Sequence, residues 1–524
     1  MSPSELESDT YDVVVIGTNL SGSIVAASLA KAGKSILHID PNEYYGSSHS
    51  SLTLDELIQW SSLHSSPSLT SHQYSQASTS TLTPSLHSDR RRYALSLYPA
   101  ILPSRGSMIQ TLIDSEVSKY VSFRLLGSVS VYNSTQPLNS SGEKEETGMV
   151  KNSKEVKVRR VPGSKEDIFK DTSINLRDKR KLMKFLLWAS GSYEITTVFM
   201  ENKHKRMGEF LKDVFGLDVK LADQICYAIA HCDDPEEKVE RVLGRMNRYL
   251  KSIGRYGSGA FLVGQYGSAG EVAQGFCRAC AVYGGTYVLG PSAKLESISA
   301  SEDGVILRLP CHPRDIKASK VISTAEHLPE NLRPAAAEVI ITTAQCIAIL
   351  PSFPELLRQS RGSVHEKQDI QENENISDRQ SEGTQTEEEG SEENEDTAVL
   401  LFPPEGEMGL VRALIMGEGT GSCPPRQLSE STPPKCLEPY LSRLSSEPLF
   451  SAFYFSHRPK YDIPAEKLLP SDKNIVLLRP CESLDMTEGM DWEAKQAEAA
   501  FWQVVGKDGQ VGYFEKTEEG EESE

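Results

Sequence analysis

The residues best spaced for chemistry lie near the N-terminus, in YDVVVIGTNLSGSIVAASLAKAGKSILHIDPNEYY, residues 11–45. Gly17 and Gly22 hold the outer positions of a G-x-G-x-x-G turn, and an acid, Asp40, follows about twenty residues on. Such a turn offers backbone N–H groups to a pyrophosphate, and such an acid receives a ribose hydroxyl. The middle position, however, is Asn19. Glycine stands there so that backbone can approach the phosphates, and an asparagine side chain intrudes on their place. A flavin enzyme of this architecture carries a Gly-Asp pair before its last helix, whereas residues 486–491 read MTEGMD. Gly17, Asn19, Gly22 and Asp40 therefore read as the vestige of a dinucleotide turn, with no cofactor expected and Asp40 bracing the strand end. The competing reading is a flavin-dependent oxidoreductase, which predicts a yellow protein.

Other reactive residues point away from catalysis. Cys277-x-x-Cys280 lacks the second pair that a zinc site needs. Both cysteines share a helical face with Val272 and Phe276, a packing pattern. His38 alternates with Leu37 and Ile39 and reads as a satisfied interior group. The sequence contains no H-x-x-x-H pair, G-x-S-x-G elbow or P-loop. Arg255 and Arg278 flank a glycine-dense segment, where a tightly shaped backbone displays side chains. That composition suits a protein-binding surface.

The positioning elements follow from periodicity. Residues 11–16 are a β-branched strand, 23–32 a helix of small and apolar residues, and 35–39 a second strand, a βαβ start over 11–40. The fold class is α/β: a Rossmann-like large domain of FAD/NAD(P)-binding type with a smaller, mostly helical second domain. Residues 1–10 are expected to be a flexible N-terminus, and 11–132 the first part of the large domain. Within it, 47–88 reads as a long surface excursion with one helical piece. A flexible insertion covers 133–160 and the helical domain 161–240. The large domain resumes at 241–358 and 398–506, separated by an acidic, disordered insertion at 359–397. An acidic tail, 507–524, ends the chain.

The 524 residues allow more than one core, and the net charge of −19 argues against a nucleic-acid partner. Nine scattered cysteines suit a reducing compartment. There is no long apolar run and no basic leader, so a cytosolic location is expected.

Several blocks carry a resemblance: LHIDPNEYYG, SLYPAILPSRGSMIQTLIDSEVSKYVSF and RYGSGAFLVGQYGSAGEVAQGFCRACAVYGGTYVL. In this order they resemble the family of Rab escort proteins and Rab GDP dissociation inhibitors, and FCRACAVYGG is more similar to the escort branch, of fungal type. The resemblance implies a GDI-like fold that uses no flavin. It also implies a non-catalytic accessory role as component A of Rab geranylgeranyltransferase. The expected partners are GDP-bound Rab GTPases, the alpha/beta transferase heterodimer, the geranylgeranyl lipid of the product and, transiently, a membrane. The family's Rab platform falls on Tyr45, Arg255, Glu271, Arg278, Thr286 and Val288. A family methionine is Val288 here, and an aromatic expected in the transferase-binding helix, about 221–231, is Gln224. Recycling of prenylated Rabs, the role of the inhibitor branch, is the nearest alternative.

Overall fold

Thr10–Ile16 (β1) is rich in β-branched residues and is buried almost throughout, as a strand covered on both faces must be. Leu20–Lys31 (α1) follows and is buried from Leu20 to Ala30, because its Gly, Ser and Ala positions let neighbours approach on every side. Ile36–Asp40 (β2) returns parallel to β1, with Val13 opposite Ile36. Across β1, Ile316–Thr324 pairs in parallel, and Ile475–Leu478 pairs in parallel with that strand. An antiparallel hairpin, Ser297–Ser301 and Gly304–Arg308, completes that side. Thr286–Leu289 pairs with β2 and ends the sheet. The result is a seven-stranded, largely parallel sheet with α1, Ala269–Val282 and Gly489–Val505 packed together on one face. This computed structural model describes residues 6–67, 73–133, 158–161, 174–301, 303–334, 339–358, 396–405, 408–424, 428–430, 436–460, 474–506 and 512–515.

A second sheet of eight strands carries much of the rest of the large domain, with a three-stranded and a two-stranded sheet beside it. Val339–Leu350 and Phe450–Lys460 form its longest ladder, and Thr397–Phe402 pairs with Val411–Met416 on one edge and Ser128–Tyr132 on the other. Helices Leu176–Ser190, Met207–Phe215, Val219–Ala228 and Val239–Ser252 pack around Phe185, Phe210, Ile225 and Met246, and their core continues onto Val399, Leu414 and Met416 of this sheet. Asn175 and Asp218 cap two of these helices by accepting the N–H of Asp178 at 2.9 Å and of Leu221 at 2.8 Å. Phe210 is fully buried, so truncation to alanine costs about 3–5 kcal/mol.

Several expectations are corrected. The N-terminus is anchored from residue 6: Leu6 is buried and Asp9 holds His312 at 2.6 Å and Arg314 at 2.8 Å. The supposed excursion after residue 47 is a packed layer, because Leu54, Leu57 and Trp60 of Leu54–Leu63 (α2) cluster with Tyr74 and Tyr454. Val158–Arg160 is a sheet strand rather than insertion. The helical unit continues past residue 240, since Val239–Ser252 supplies Val242, Leu243 and Met246 to its core. Phe514, within the supposed tail, is buried against Phe276, and Lys31 donates to its carbonyl at 3.0 Å. Most of the proposed insertions, 134–157 and 359–395, lie outside the described residues.

Candidate functional site

Gly17 has φ +93°, so the chain turns sharply out of β1. The donors and acceptors beyond this turn are taken by the chain itself. Asn19 does not reach into the turn; its carbonyl oxygen accepts the Gly22 N–H at 2.7 Å and caps α1. Asp40 is fully buried and accepts five hydrogen bonds. Thr18 N and Oγ1 and Ser47 Oγ bond one oxygen at 2.6–2.7 Å, and Asn42 N and Nδ2 bond the other at 2.8–2.9 Å. Ser21 donates to the Glu493 carboxylate, and His49 accepts from Leu20 N at 3.4 Å. A Cβ on Gly17 would lie 2.6 Å from His327 Nε2, so an imidazole covers the turn.

A flavin dinucleotide does not fit these residues. The ribose acid has no free oxygen, the Ser21 hydroxyl at the start of α1 is bonded to Glu493, and His327 occupies the approach. Asp491, the acid ahead of the last helix's body, faces elsewhere: it accepts from Met108 N at 2.9 Å and pairs with Arg248 at 3.2 Å.

The histidine and thiols nearby form a closed chain. His38 Nε2 donates to Gly17 O at 2.9 Å, which leaves Nδ1 to accept from the Tyr287 hydroxyl at 3.1 Å. Burial lowers the His38 pKa to about 4. Cys277 and Cys280 pack beneath Tyr287, and burial pushes their thiols up to about 12 and about 11. Protonated, buried thiols are poor nucleophiles and metal ligands, in agreement with their reading as core. Among the described residues there is no group of acids, histidines and cysteines fit to hold a metal ion.

On the outer surface, helix Ala269–Val282 presents Glu271 and Arg278, two turns apart and therefore on one face. Gly275 lets this helix settle onto Val117 and Val121, where a Cβ would approach to 2.9 and 3.0 Å. That close contact brings Tyr120 beneath Arg278, its ring centroid 4.9 Å from the guanidinium carbon. Arg278 is exposed; Glu271 is half-buried, and burial raises its carboxyl pKa. Val282 and Tyr283, 68% and 44% exposed, add apolar surface at the helix end.

Tyr45 lies beside the outer strand of the central sheet, 6.0 Å edge-on to Tyr287. Thr286 and Val288 flank Tyr287 on that strand. The Thr286 hydroxyl is bonded to Tyr11, and Val288 packs on the sheet's core. Arg255 stands on a separate loop, held by a 2.8 Å bond to Ser104 O and stacked 5.2 Å over Tyr256. The structure thus groups Glu271 with Arg278 and sets Tyr45 against Tyr287, while Thr286 and Val288, on either side of Tyr287 along the strand, face the opposite side of the sheet. Tyr120 and Tyr287 were missed, because an isolated tyrosine carries no signal until packing shows what it supports.

The chain belongs to the GDP dissociation inhibitor family, whose match spans residues 7–355. It is similar to the Rab proteins geranylgeranyltransferase component A of Saccharomyces cerevisiae, 29% identical over 420 residues, which are 79% of this chain and 60% of that protein. The protein of the same name from Drosophila melanogaster is 30% identical over 334 residues, 61% of this chain and 60% of the relative. The chain therefore spans about 60% of the length of these relatives. The fold is similar to the crystal structure of a Rab GDI from Plasmodium falciparum, with TM-score 0.64, 18% identity, and coverage of 97% of this chain and 100% of that one.

Proposed function

We propose that the chain is a Rab escort protein, a non-catalytic component A. On this reading it binds GDP-bound, unprenylated Rab, presents it to the alpha/beta heterodimer of Rab geranylgeranyltransferase and delivers the product to membranes. The observation that carries the reading is the face of helix Ala269–Val282, with Arg278 held on Tyr120 and Glu271 two turns away, in a chain whose relatives are named component A. An exposed arginine oriented by an aromatic ring can form paired hydrogen bonds to a partner's carboxylate, and Val282 and Tyr283 supply the apolar contact beside it. Tyr45, Thr286, Val288 and Arg255 extend the surface on either side.

The mechanism needs no chemistry from this chain. Holding the globular part of a GTPase keeps its flexible C-terminal tail near the transferase active site, at an effective concentration of roughly millimolar. Tethering then replaces sequence reading of the tail. After transfer, the helical unit shelters the lipid. Among the described residues the apolar slot between Leu182, Leu221, Gln224 and Ile225 holds about 20 Å³, so sheltering there requires these helices to part. Each buried methylene contributes about 0.8 kcal/mol, which offsets the lost packing. The protein works from the cytosol with transient membrane contact; no helix among the described residues is long and apolar enough to cross a membrane.

The deciding experiment is geranylgeranylation of an unmodified Rab by purified transferase, with and without this chain. Strong stimulation is expected. No stimulation, with retained extraction of prenylated Rab from membranes, would assign the chain to the recycling role instead.

A further inference from the structure

Beside the closed turn, between the ends of the two sheets, lies a cavity of about 260 Å³. Its walls come from both sheets, from the start of α1 and from the last helix. It is too small for a dinucleotide but close to the lower end of small-molecule sites, about 300–1,000 Å³. None of the residues that form the outer face of helix Ala269–Val282 lines it.

Its lining carries both signs of charge. Arg333, Arg458 and Arg479 line it against two acids, Glu326 and Glu493. Glu493 is already engaged by Ser21. Arg333 donates to the Leu328 carbonyl at 2.8 Å and Arg458 to the Ser483 carbonyl at 3.0 Å. Neutral carbonyls orient these guanidinium groups without cancelling their charge, and neither pairs with a carboxylate among the described residues. Leu97, Tyr98 and Ile340 form an apolar wall, with the Arg458 guanidinium 5.7 Å from the Tyr98 ring centroid.

Two further atoms await a partner. His49 Nε2 and Thr324 Oγ1 line the cavity, and both are buried without a hydrogen bond. The residues are 5% and 8% exposed, and the acceptor facing His49, Glu493, stands 3.5 Å away. Buried polar groups are nearly always satisfied, so such atoms in a cavity mark the place of something that bonds them.

We propose that this cavity binds a small molecule consisting of one planar ring and one anionic group, a carboxylate or a phosphate monoester. The anion meets Arg333 and Arg458, the ring lies along Leu97 and Tyr98, and His49 and Thr324 supply the remaining hydrogen bonds. The ligand would join the two sheets, and its binding would raise the melting temperature of the whole chain. The site does not depend on the escort reading, and its test uses no Rab.

Phenyl phosphate titrated calorimetrically into the full-length chain is the probe. One site with a dissociation constant on the order of 0.1 mM is expected. Inorganic phosphate and benzyl alcohol, each carrying half the chemistry, should bind at least about tenfold more weakly. Benzoate in parallel decides between a carboxylate and a phosphate ligand. Arg458→Gln and Arg333→Gln should each weaken binding about tenfold while the ligand-free melting temperature holds. Should Arg458→Gln unfold, Arg333→Gln at its half-exposed position carries the test. Phenyl phosphate binding no tighter than inorganic phosphate, or binding unchanged in the folded arginine variants, would overturn the proposal.

Discussion

Replacing Arg278 with alanine separates the partner surface from the fold. The side chain is exposed and its described contact is the Tyr120 face at 4.9 Å. An exposed cation–π pair contributes about 0.5–1 kcal/mol, so the melting temperature should fall by no more than about 2–4 °C. The cost to binding is larger. A hydrogen bond to a charged partner contributes about 1.5–3 kcal/mol, equivalent to roughly a ten- to hundredfold loss of affinity. The assay is fluorescence titration of a labelled, GDP-loaded Rab with the purified variant, repeated at high salt to separate steering from contact. Tyr120→Ala leaves the charge but removes its support, so it should weaken binding by a smaller factor. The double variant should lose less than the sum of the two, because both changes remove one oriented guanidinium. Affinity within about twofold of the parent, at unchanged melting temperature, would remove Arg278 from the surface and with it the central argument for this face.

Three further outcomes follow from the geometry. Asn19→Gly restores the glycine pattern but leaves Asp40 and the Glu493 carboxylate in place; the protein should stay colourless after incubation with FAD, and stoichiometric flavin absorbance would refute the closed-turn account. His38 and His231 are held neutral by burial, with pKa lowered from 6.5 to about 4, so the unfolded chain binds more protons between those values. Stability is therefore complete above about pH 6.5 and falls as pH drops, by roughly 3 kcal/mol for each histidine at pH 4; a urea midpoint that stays flat from pH 7 to pH 5 would contradict this. Removing residues 362–392 and bridging the ends with a short flexible linker should leave melting and Rab titration nearly unchanged. Extending the deletion through Asp396 and Thr397 should cost more, because Asp396 pairs with Arg124 at 2.8 Å and Thr397 holds the Gly127 N–H at 3.0 Å; equal melting of the two deletions would refute that difference.

Much of the fold was legible in local pattern. The β-branched run of β1, the small-residue helix α1 and the strand ending at Asp40 are where periodicity and turn chemistry place them. Glu271 and Arg278 share a face by helical spacing alone. Other readings failed where composition misled. Residues 47–88 are rich in Ser, Thr and His, yet Leu54, Leu57 and Trp60 are spaced to bury one face, and the polar residues between them face outward. The tail looked uniformly acidic, but Phe514 is a large apolar side chain that a neighbouring groove can bury. The end of the helical unit was misplaced because Val239–Ser252 is polar on average, although Val239, Val242, Leu243, Met246 and Tyr249 recur at helical spacing and form its buried stripe.

The sequence by itself determined the strand–turn–helix, the damage at its middle glycine and the likeness that joins the chain to its family. These rest on short-range spacing and on residue types. Only the tertiary structure decided what fills the turn. Asn19 caps its own helix instead of obstructing a phosphate, and the groups that close the site include Glu493, 472 residues from its partner Ser21. The same distance in sequence hid the cavity beside the turn, whose arginines come from separate strands and loops. Hydrogen bonds and charge act through space, and no spacing along the chain records which distant side chains the two sheets bring together.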